Sequence, residues 1–205
     1  GKTTTAYLLR DILAQAGKHC GMLGTVEYDL GQGCILPADR TTPTPFQVQE
    51  MLGAMRDKQV EYAVLEMSSH ALAQQRLGSA VFAGAVFTNL TRDHLDFHHT
   101  FENYYQSKKL LFEQFLGRSA PMVVNIDDPW GQRLAEELHS ENVYTFSLTG
   151  KTARIRGEEL RLAEDCSEFI LQLPGERWQL HTPLLGRYNV SNVTAAVTLA
   201  YALRL

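Results

Sequence analysis

The feature that most constrains this chain is the alternation of short apolar runs with longer amphipathic ones. His19–Thr25, Tyr62–Met67, Ala83–Thr88, Met122–Ile126 and Val143–Phe146 are too short for helices and read as buried strands. Helix-period segments lie between them. Thr3–Ala16 carries Ala6, Leu9, Leu13 and Ala16 on one stripe and stops at Gly17. Pro45 opens a second helix to about Lys58, with Val48, Leu52 and Met55 inward. Further helices are expected from Ser69 onward and over Phe101–Leu116, Pro129–Leu138 and Val190–Leu203. Tyr28–Thr44, rich in Gly, Pro and Thr, and the polar stretch Asn89–Thr100 read as loops. Such alternation calls for an α/β fold with a mostly parallel sheet flanked by helices. After Thr149 the pattern changes: Ala153–Arg156, Glu159–Ala163, Phe169–Leu173 and Trp178–His181 predict a small antiparallel sheet in the C-terminal third.

Composition narrows the function classes. A chain of 205 residues suits one domain, and its net charge of −4 argues against a general nucleic-acid binder. No apolar run approaches the roughly 20 residues of a membrane helix, so no membrane insertion is expected. Cys20, Cys34 and Cys166 are far apart and form no CxxC pair, so neither a zinc site nor a disulfide framework is suggested. A reduced, cytoplasmic, monomeric protein is the expectation. The chain opens on Gly1-Lys2-Thr3 and closes at Leu205 within a helical pattern, and it reads as part of a longer protein.

Two motifs carry chemistry. Gly1-Lys2-Thr3-Thr4, directly before a helix, is the second half of the P-loop pattern G-x-x-x-x-G-K-[ST]. Phosphate binding needs inward-pointing backbone N–H groups, and a helix N-terminus adds a favourable dipole. Lys2 would neutralise β/γ-phosphate charge, and the Thr3 hydroxyl would coordinate Mg²⁺. The plain alternative is an exposed helix start capped by threonine. Glu66 follows the apolar run Tyr62–Leu65, and ligands of open parallel sheets gather beyond the carboxyl ends of strands. An acid there can hold Mg²⁺ beside a P-loop; alone it would read as a surface carboxylate. Thr88-Asn89-Leu90-Thr91-Arg92-Asp93-His94-Leu95-Asp96-Phe97-His98 sets several polar groups after another strand. Asp93, His94 and Asp96 can bind metal, orient a ligand or cap the loop. His98, His99, His139 and His181 show no partner and read as surface or loop residues.

These motifs, with Glu66-Met67-Ser68-Ser69-His70-Ala71-Leu72, Thr41-Thr42-Pro43-Thr44-Pro45 and Leu185-Gly186-Arg187-Tyr188-Asn189-Val190-Ser191-Asn192, occur in the order found in Mur ligases. Over nearly its whole length the chain resembles the central ATP-binding domain of that family. The resemblance implies flanking domains, for uridine on the N-terminal side and for the incoming amino acid on the C-terminal side. It also implies ATP and Mg²⁺, with Gly1, Lys2, Thr3, Thr4, Arg187 and Asn189 at the nucleotide, and Thr3, Glu66, His94 and Lys108 at the metals. Lys2, His94 and Lys108 would be the catalytic set. Lys108 matches a lysine that the family carbamylates; the residues alone leave Lys109 equally eligible. Thr41, Thr42, Ser68, Gln74 and Arg76 match positions that contact a UDP-sugar peptide, although taken alone they read as loop caps and a surface charge. Asp127 is a secondary nucleotide-site candidate, and Asp127 or Asp128 can equally cap the next helix. Asn189 by itself looks like the N-cap of the final helix.

The TTP segment and SSHAL…Q-x-R point, within the family, to addition of a diamino acid to UDP-N-acetylmuramoyl-L-alanyl-D-glutamate; these residues do not choose the amino acid, and meso-diaminopimelate is expected over L-lysine only because it is the more widespread use in the family. The implied chemistry is transfer of the ATP γ-phosphoryl group to a carboxylate, then attack by the amine on the acyl phosphate. The rival readings are a ligase of the folylpolyglutamate or cyanophycin synthetase type, and a P-loop nucleotide switch that makes no bond and needs no modified lysine.

Overall fold

The structure, a computed structural model, describes all 205 residues. The alternation expected from the sequence is present. Helix α1 (Lys2–Gln15) leads to β1 (Cys20–Leu23), and α2 (Pro45–Asp57) leads to β4 (Tyr62–Leu65), which pairs with β1 in parallel so that Met22 faces Val64. The short α3 (Ser69–Ala73) precedes β5 (Ala85–Phe87). Then follow α5 (Phe101–Gln114), β6 (Met122–Asn125), α6 (Pro129–Glu137) and β7 (Val143–Ser147), with β5, β6 and β7 mutually parallel. Local chemistry sets the helix starts. Thr44 and Gln47 form a reciprocal capping box with Pro45 in the first turn of α2, and Thr100 caps α5. Asp128, not Asp127, caps α6 through the amides of Trp130 and Gly131.

Tertiary pairing changes several local expectations. The segment read as a loop from Tyr28 to Thr44 contains β2 (Glu27–Asp29) and β3 (Ile35–Pro37), antiparallel strands that extend the sheet from β1. Every residue of β3 is exposed, so no apolar alternation marks it. The polar stretch before Thr100 holds the single-turn helix α4 (Leu95–His98). The runs at Ala153–Arg156 and Glu159–Ala163 are one strand, β8 (Ile155–Leu162), irregular between Glu158 and Arg161, where Glu159 has φ 51°. β9 (Ser167–Leu173) and β10 (Glu176–Thr182) pair antiparallel beyond it, and β8 joins β7 in parallel. The antiparallel strands of the C-terminal third therefore continue the parallel sheet edge-on. The last helix, α7 (Arg187–Ala202), begins earlier than expected, with Gly186 as N-cap at φ 86°, a conformation that favours glycine. Asn189 thus lies inside its first turn.

The result is a four-stranded sheet in the order β3-β2-β1-β4 and a six-stranded sheet in the order β10-β9-β8-β7-β6-β5. β6 is buried along its whole length, and its residues alternate between two cores. Met122 and Val124 pack with Tyr104, Tyr105 and Phe112 of α5 and Leu134 of α6. Val123 packs with Phe146, Phe169 and Leu171 against Val190, Val193 and Leu199 of α7. β4 departs from the buried strand expected there: Val64 is buried but Ala63 is exposed.

Phe146 is fully enclosed in the second core, whereas Phe46 stands 77% exposed. Phe146→Ala is expected to lower unfolding free energy by about 3–5 kcal/mol, and Phe46→Ala to change it by less than about 0.5 kcal/mol, in urea titrations.

Candidate active site

The carboxyl ends of β1, β4 and β5 and the start of α1 converge on Glu66. Its side chain is 3% exposed. Glu66 Oε2 accepts from Thr3 Oγ1 at 2.9 Å and from Thr25 Oγ1 at 3.1 Å, and Oε1 accepts from the Thr25 amide at 3.0 Å. Gly24 makes this possible, since a Cβ there would stand 2.5 Å from Glu66 Oε1. No lysine or arginine pairs with this carboxylate, although a buried anion needs a cation or a full set of donors. Hydroxyl and carboxylate oxygens at one point are the hard donor set that suits Mg²⁺. No group of three or more His, Cys, Asp or Glu side chains gathers around one point, so a cation here would need further ligands from water or phosphate.

Lys2, Glu66, Asn89 and Lys108 line one cleft at this end of the molecule. Lys108 lies half-buried over the Tyr104 ring, its ammonium 5.0 Å from the ring centroid, with the Phe87 ring at 6.0 Å. It has no ion pair. Burial, reinforced by the charge of Lys2, brings its pKa down to about 8. Its neighbour is in the opposite situation. Lys109 sits 2.9 Å from both Glu113 and Glu137, and those hydrogen bonds raise its pKa. The two lysines thus differ in their surroundings: Lys108 is the one whose pKa is lowered, and Lys109 is the one held charged.

His94 begins α4 in the left-handed region at φ 55° and holds Asp93 at 3.2 Å. Its ring meets His70 edge-on at 4.9 Å and Tyr104 at 6.1 Å, which sets it beside the Lys108 platform. Asp96 remains exposed.

The five residues matched to substrate contacts form one patch next to Glu66. Thr42 Oγ1 donates to the Glu66 carbonyl at 2.7 Å and accepts from the Ser68 amide at 3.0 Å. Thr41 Oγ1 lies 3.2 Å from Thr25 Oγ1 and donates to it, since the Thr25 proton goes to Glu66. Arg76 donates to Gln74 Oε1 at 2.6 Å and to the Thr42 carbonyl at 3.2 Å. Ser68 caps α3 through the Ala71 amide. Thr42 is buried, so its hydroxyl shapes the turn, while Gln74 is exposed and Arg76 partly so.

The remaining candidates are less central. Thr4 is half-buried in the first turn of α1. Asn189 reaches Asn192 at 3.3 Å, and Asn192 in turn accepts from Thr5 at 3.4 Å, close behind Gly1. Arg187 is exposed, 3.4 Å from the Leu148 carbonyl. Asp127 accepts from Ser147, Thr149 and the Leu148 amide at 2.5–2.7 Å, so its oxygens brace the turn after β7.

Sequence reasoning missed Thr25, Asn192 and His98. Thr25 stands just past a strand end, a position that signals a site. His98 carries no such signal, and its reading as a surface or loop residue is corrected here. It is 3% exposed, with Nε2 2.8 Å from Ser69 Oγ, Nδ1 3.3 Å from Ser107 Oγ and its ring stacked on Tyr104. It ties α3 to α5 one residue before Lys108.

Burial lowers the pKa of both His98 and His70 from 6.5, and neighbouring histidines add to the effect. Because the unfolded chain takes up these protons first, the stabilisation is complete above about pH 6.5 and is lost as pH falls below it. His98→Ala is expected to cost about 1–3 kcal/mol at pH 7 and to flatten the decline between pH 7 and 5 in urea titrations.

Comparisons with known proteins identify the family and bear out the fold. Residues 1–200 match the Mur ligase middle domain model. The chain is 39% identical over 197 residues to a UDP-N-acetylmuramoyl-L-alanyl-D-glutamate--2,6-diaminopimelate ligase of Clostridium tetani, covering 96% of this chain and 39% of that protein. It is 42% identical over 198 residues to the enzyme of the same name from Synechocystis, covering 96% of this chain and 39% of that protein. A solved structure of such a ligase superposes with a TM-score of 0.85 at 31% identity, over all of this chain and 42% of its own. An L. casei FPGS structure, at 15% identity and a TM-score of 0.66 over 98% of this chain and 56% of that one, shares the fold alone. The chain spans about two fifths of the length of the curated relatives it matches. With a family model that covers almost all of it, the chain belongs to the Mur ligase middle domain family.

Proposed function

We propose that this chain is the nucleotide-binding and phosphoryl-transfer part of an ATP-dependent ligase that joins meso-diaminopimelate to UDP-N-acetylmuramoyl-L-alanyl-D-glutamate, in the synthesis of peptidoglycan precursors in the cytoplasm. The observation that carries it is the meeting of Lys2, Glu66 and an uncompensated Lys108 at one cleft. Support for the substrate comes from the relatives, which are named as 2,6-diaminopimelate ligases, and from the patch of Thr41, Ser68, Gln74 and Arg76 beside that cleft. Flanking domains would hold the uridine and the diamino acid.

In this reading the N–H groups at the start of α1, from Gly1 to Thr4, cradle phosphate and Lys2 neutralises it. Thr3 and Glu66 would hold one Mg²⁺ and His94 with carbamylated Lys108 another; the cations offset charge on the phosphates. Arg187 and Asn189 would lie along the nucleoside. Lys108, after losing one proton, would add its amine nitrogen to the carbon of CO₂ and release a second proton, so that the side chain passes from cation to anion and could serve as a ligand for Mg²⁺. A substrate carboxylate oxygen attacks the γ-phosphorus as the bond to ADP breaks. The amine then attacks the acyl carbon, and inorganic phosphate leaves. A guanidinium and hydroxyls suit the carboxylate and phosphate groups of the substrate. A switch that makes no bond would have no use for a half-buried lysine left without an ion pair beside Lys2, which disfavours that rival.

Two measurements test this. ¹³C-bicarbonate should give one carbamate resonance, stronger at pH 8.5 than at pH 7, absent in Lys108→Ala and retained in Lys109→Ala. In the full-length parent, phosphate release should require the UDP-sugar dipeptide and diaminopimelate, and Glu66→Ala should cut it by about a hundredfold or more. Release with L-lysine instead would change the amino acid; release with neither would remove the ligase reading.

A further inference from the structure

His94 and Lys108 stand on different elements, the first at the start of the single turn α4 and the second within α5. The residue that joins those elements is His98. Its amide donates to the His94 carbonyl at 3.0 Å, which closes the turn that begins at His94. Its carbonyl accepts from Asn103 Nδ2 of α5 at 3.0 Å. Its ring stacks on Tyr104, with centroids 4.9 Å apart and planes 17° apart. Lys108 lies over that same Tyr104 ring, four residues further along the helix and so on the same face.

The partners of the ring fix where its hydrogen sits. Ser107 Oγ gives its only proton to the Asn103 carbonyl at 2.8 Å. Toward His98 it can therefore only accept, so Nδ1 carries the hydrogen and donates to Ser107. Burial lowers the pKa of the ring from 6.5, so near pH 7 it is uncharged and Nε2 is bare. Nε2 then accepts from Ser69 Oγ at 2.8 Å. Ser69 follows Ser68, whose amide donates to Thr42 in the patch beside Glu66. A phenylalanine would stack on Tyr104 as well and would bury no polar atoms. An imidazole with both nitrogens engaged adds direction, at the cost of desolvating them.

We propose that His98 is a positioning residue for phosphoryl transfer: it holds Lys108 and His94 at a fixed separation and ties both to the Thr42–Ser68 patch. It reaches Lys108 through Ser107 and Tyr104, His94 through the backbone of α4, and the patch through Ser69. The functional part of this rests on the reading above, in which His94 and Lys108 serve a cation; the positioning itself rests on the contacts alone.

The test uses the full-length parent with ¹³C-labelled lysine in CO₂-free buffer. The Lys108 ε-methylene resonance, identified by its loss in Lys108→Arg, should lie upfield through the ring current of Tyr104. His98→Ala and Ser107→Ala should lose most of that displacement. His98→Asn, which puts an amide nitrogen where Nδ1 stands, should keep it. Phe146→Ala, which removes more stability from the other core, should also keep it. In phosphate release, His98→Ala should lower kcat by about tenfold or more and change KM for ATP by less than about twofold, and His98→Asn should recover most of the loss. If His98→Ala does not fold, Ser107→Ala, which removes one hydroxyl, makes the same comparison. A Lys108 resonance unmoved in His98→Ala and Ser107→Ala overturns the proposal, even where kcat falls. So does an equal movement in Phe146→Ala, which would make the effect one of general stability. A wild-type parent that releases no phosphate would remove the ligase reading, while the resonance comparison would still decide whether His98 positions Lys108.

Discussion

The molecule is organised around a buried carboxylate. Glu66 follows β4, yet its oxygens are held by Thr3 from α1 and by Thr25 past the end of β1, and its carbonyl is held by Thr42 from the segment before α2. Three chain segments far apart in sequence are thus pinned at one point. The arrangement needs a glycine at 24, where any side chain would meet the carboxylate. It also places an anion in a dry corner without a basic partner, a costly feature in a protein that merely had to fold. That cost is understandable where a cation is to be bound, as we propose.

The same economy governs Lys108. Two lysines stand side by side on α5. One faces Glu113 and Glu137 and is held charged; the other faces aromatic rings and a like charge and is held down to about 8. A helix turns neighbours through about 100°, enough to send one to an acidic surface and the other to a cleft. His98 then fixes the rotation and height of that helix by joining Ser107 to Ser69. The chemistry offered by the site therefore depends on packing one shell away from it.

Much of the fold was legible because periodicity is a local property. Strands β5 to β7 and helices α1, α2, α5 and α6 fall where apolar spacing places them. The misses have a common cause. β3 is exposed and owes its existence to pairing with β2; the two runs of β8 are joined by one partner, β9; and the start of α7 depends on the positive φ of Gly186. Of the site, Lys2, Thr3 and Glu66 were readable from a half motif and a strand end. Thr25 carried a strand-end signal that was missed, and His98 carried none, since it acts through Ser69, 29 residues away.

By itself the sequence determined the alternation of strands and helices and most of the helix starts, because hydrophobic period and capping residues act within a few residues. Only the tertiary structure decided which lysine has its pKa lowered, which histidine is structural and which strands pair. Desolvation, charge proximity and strand pairing depend on neighbours in space, and those neighbours come from distant parts of the chain.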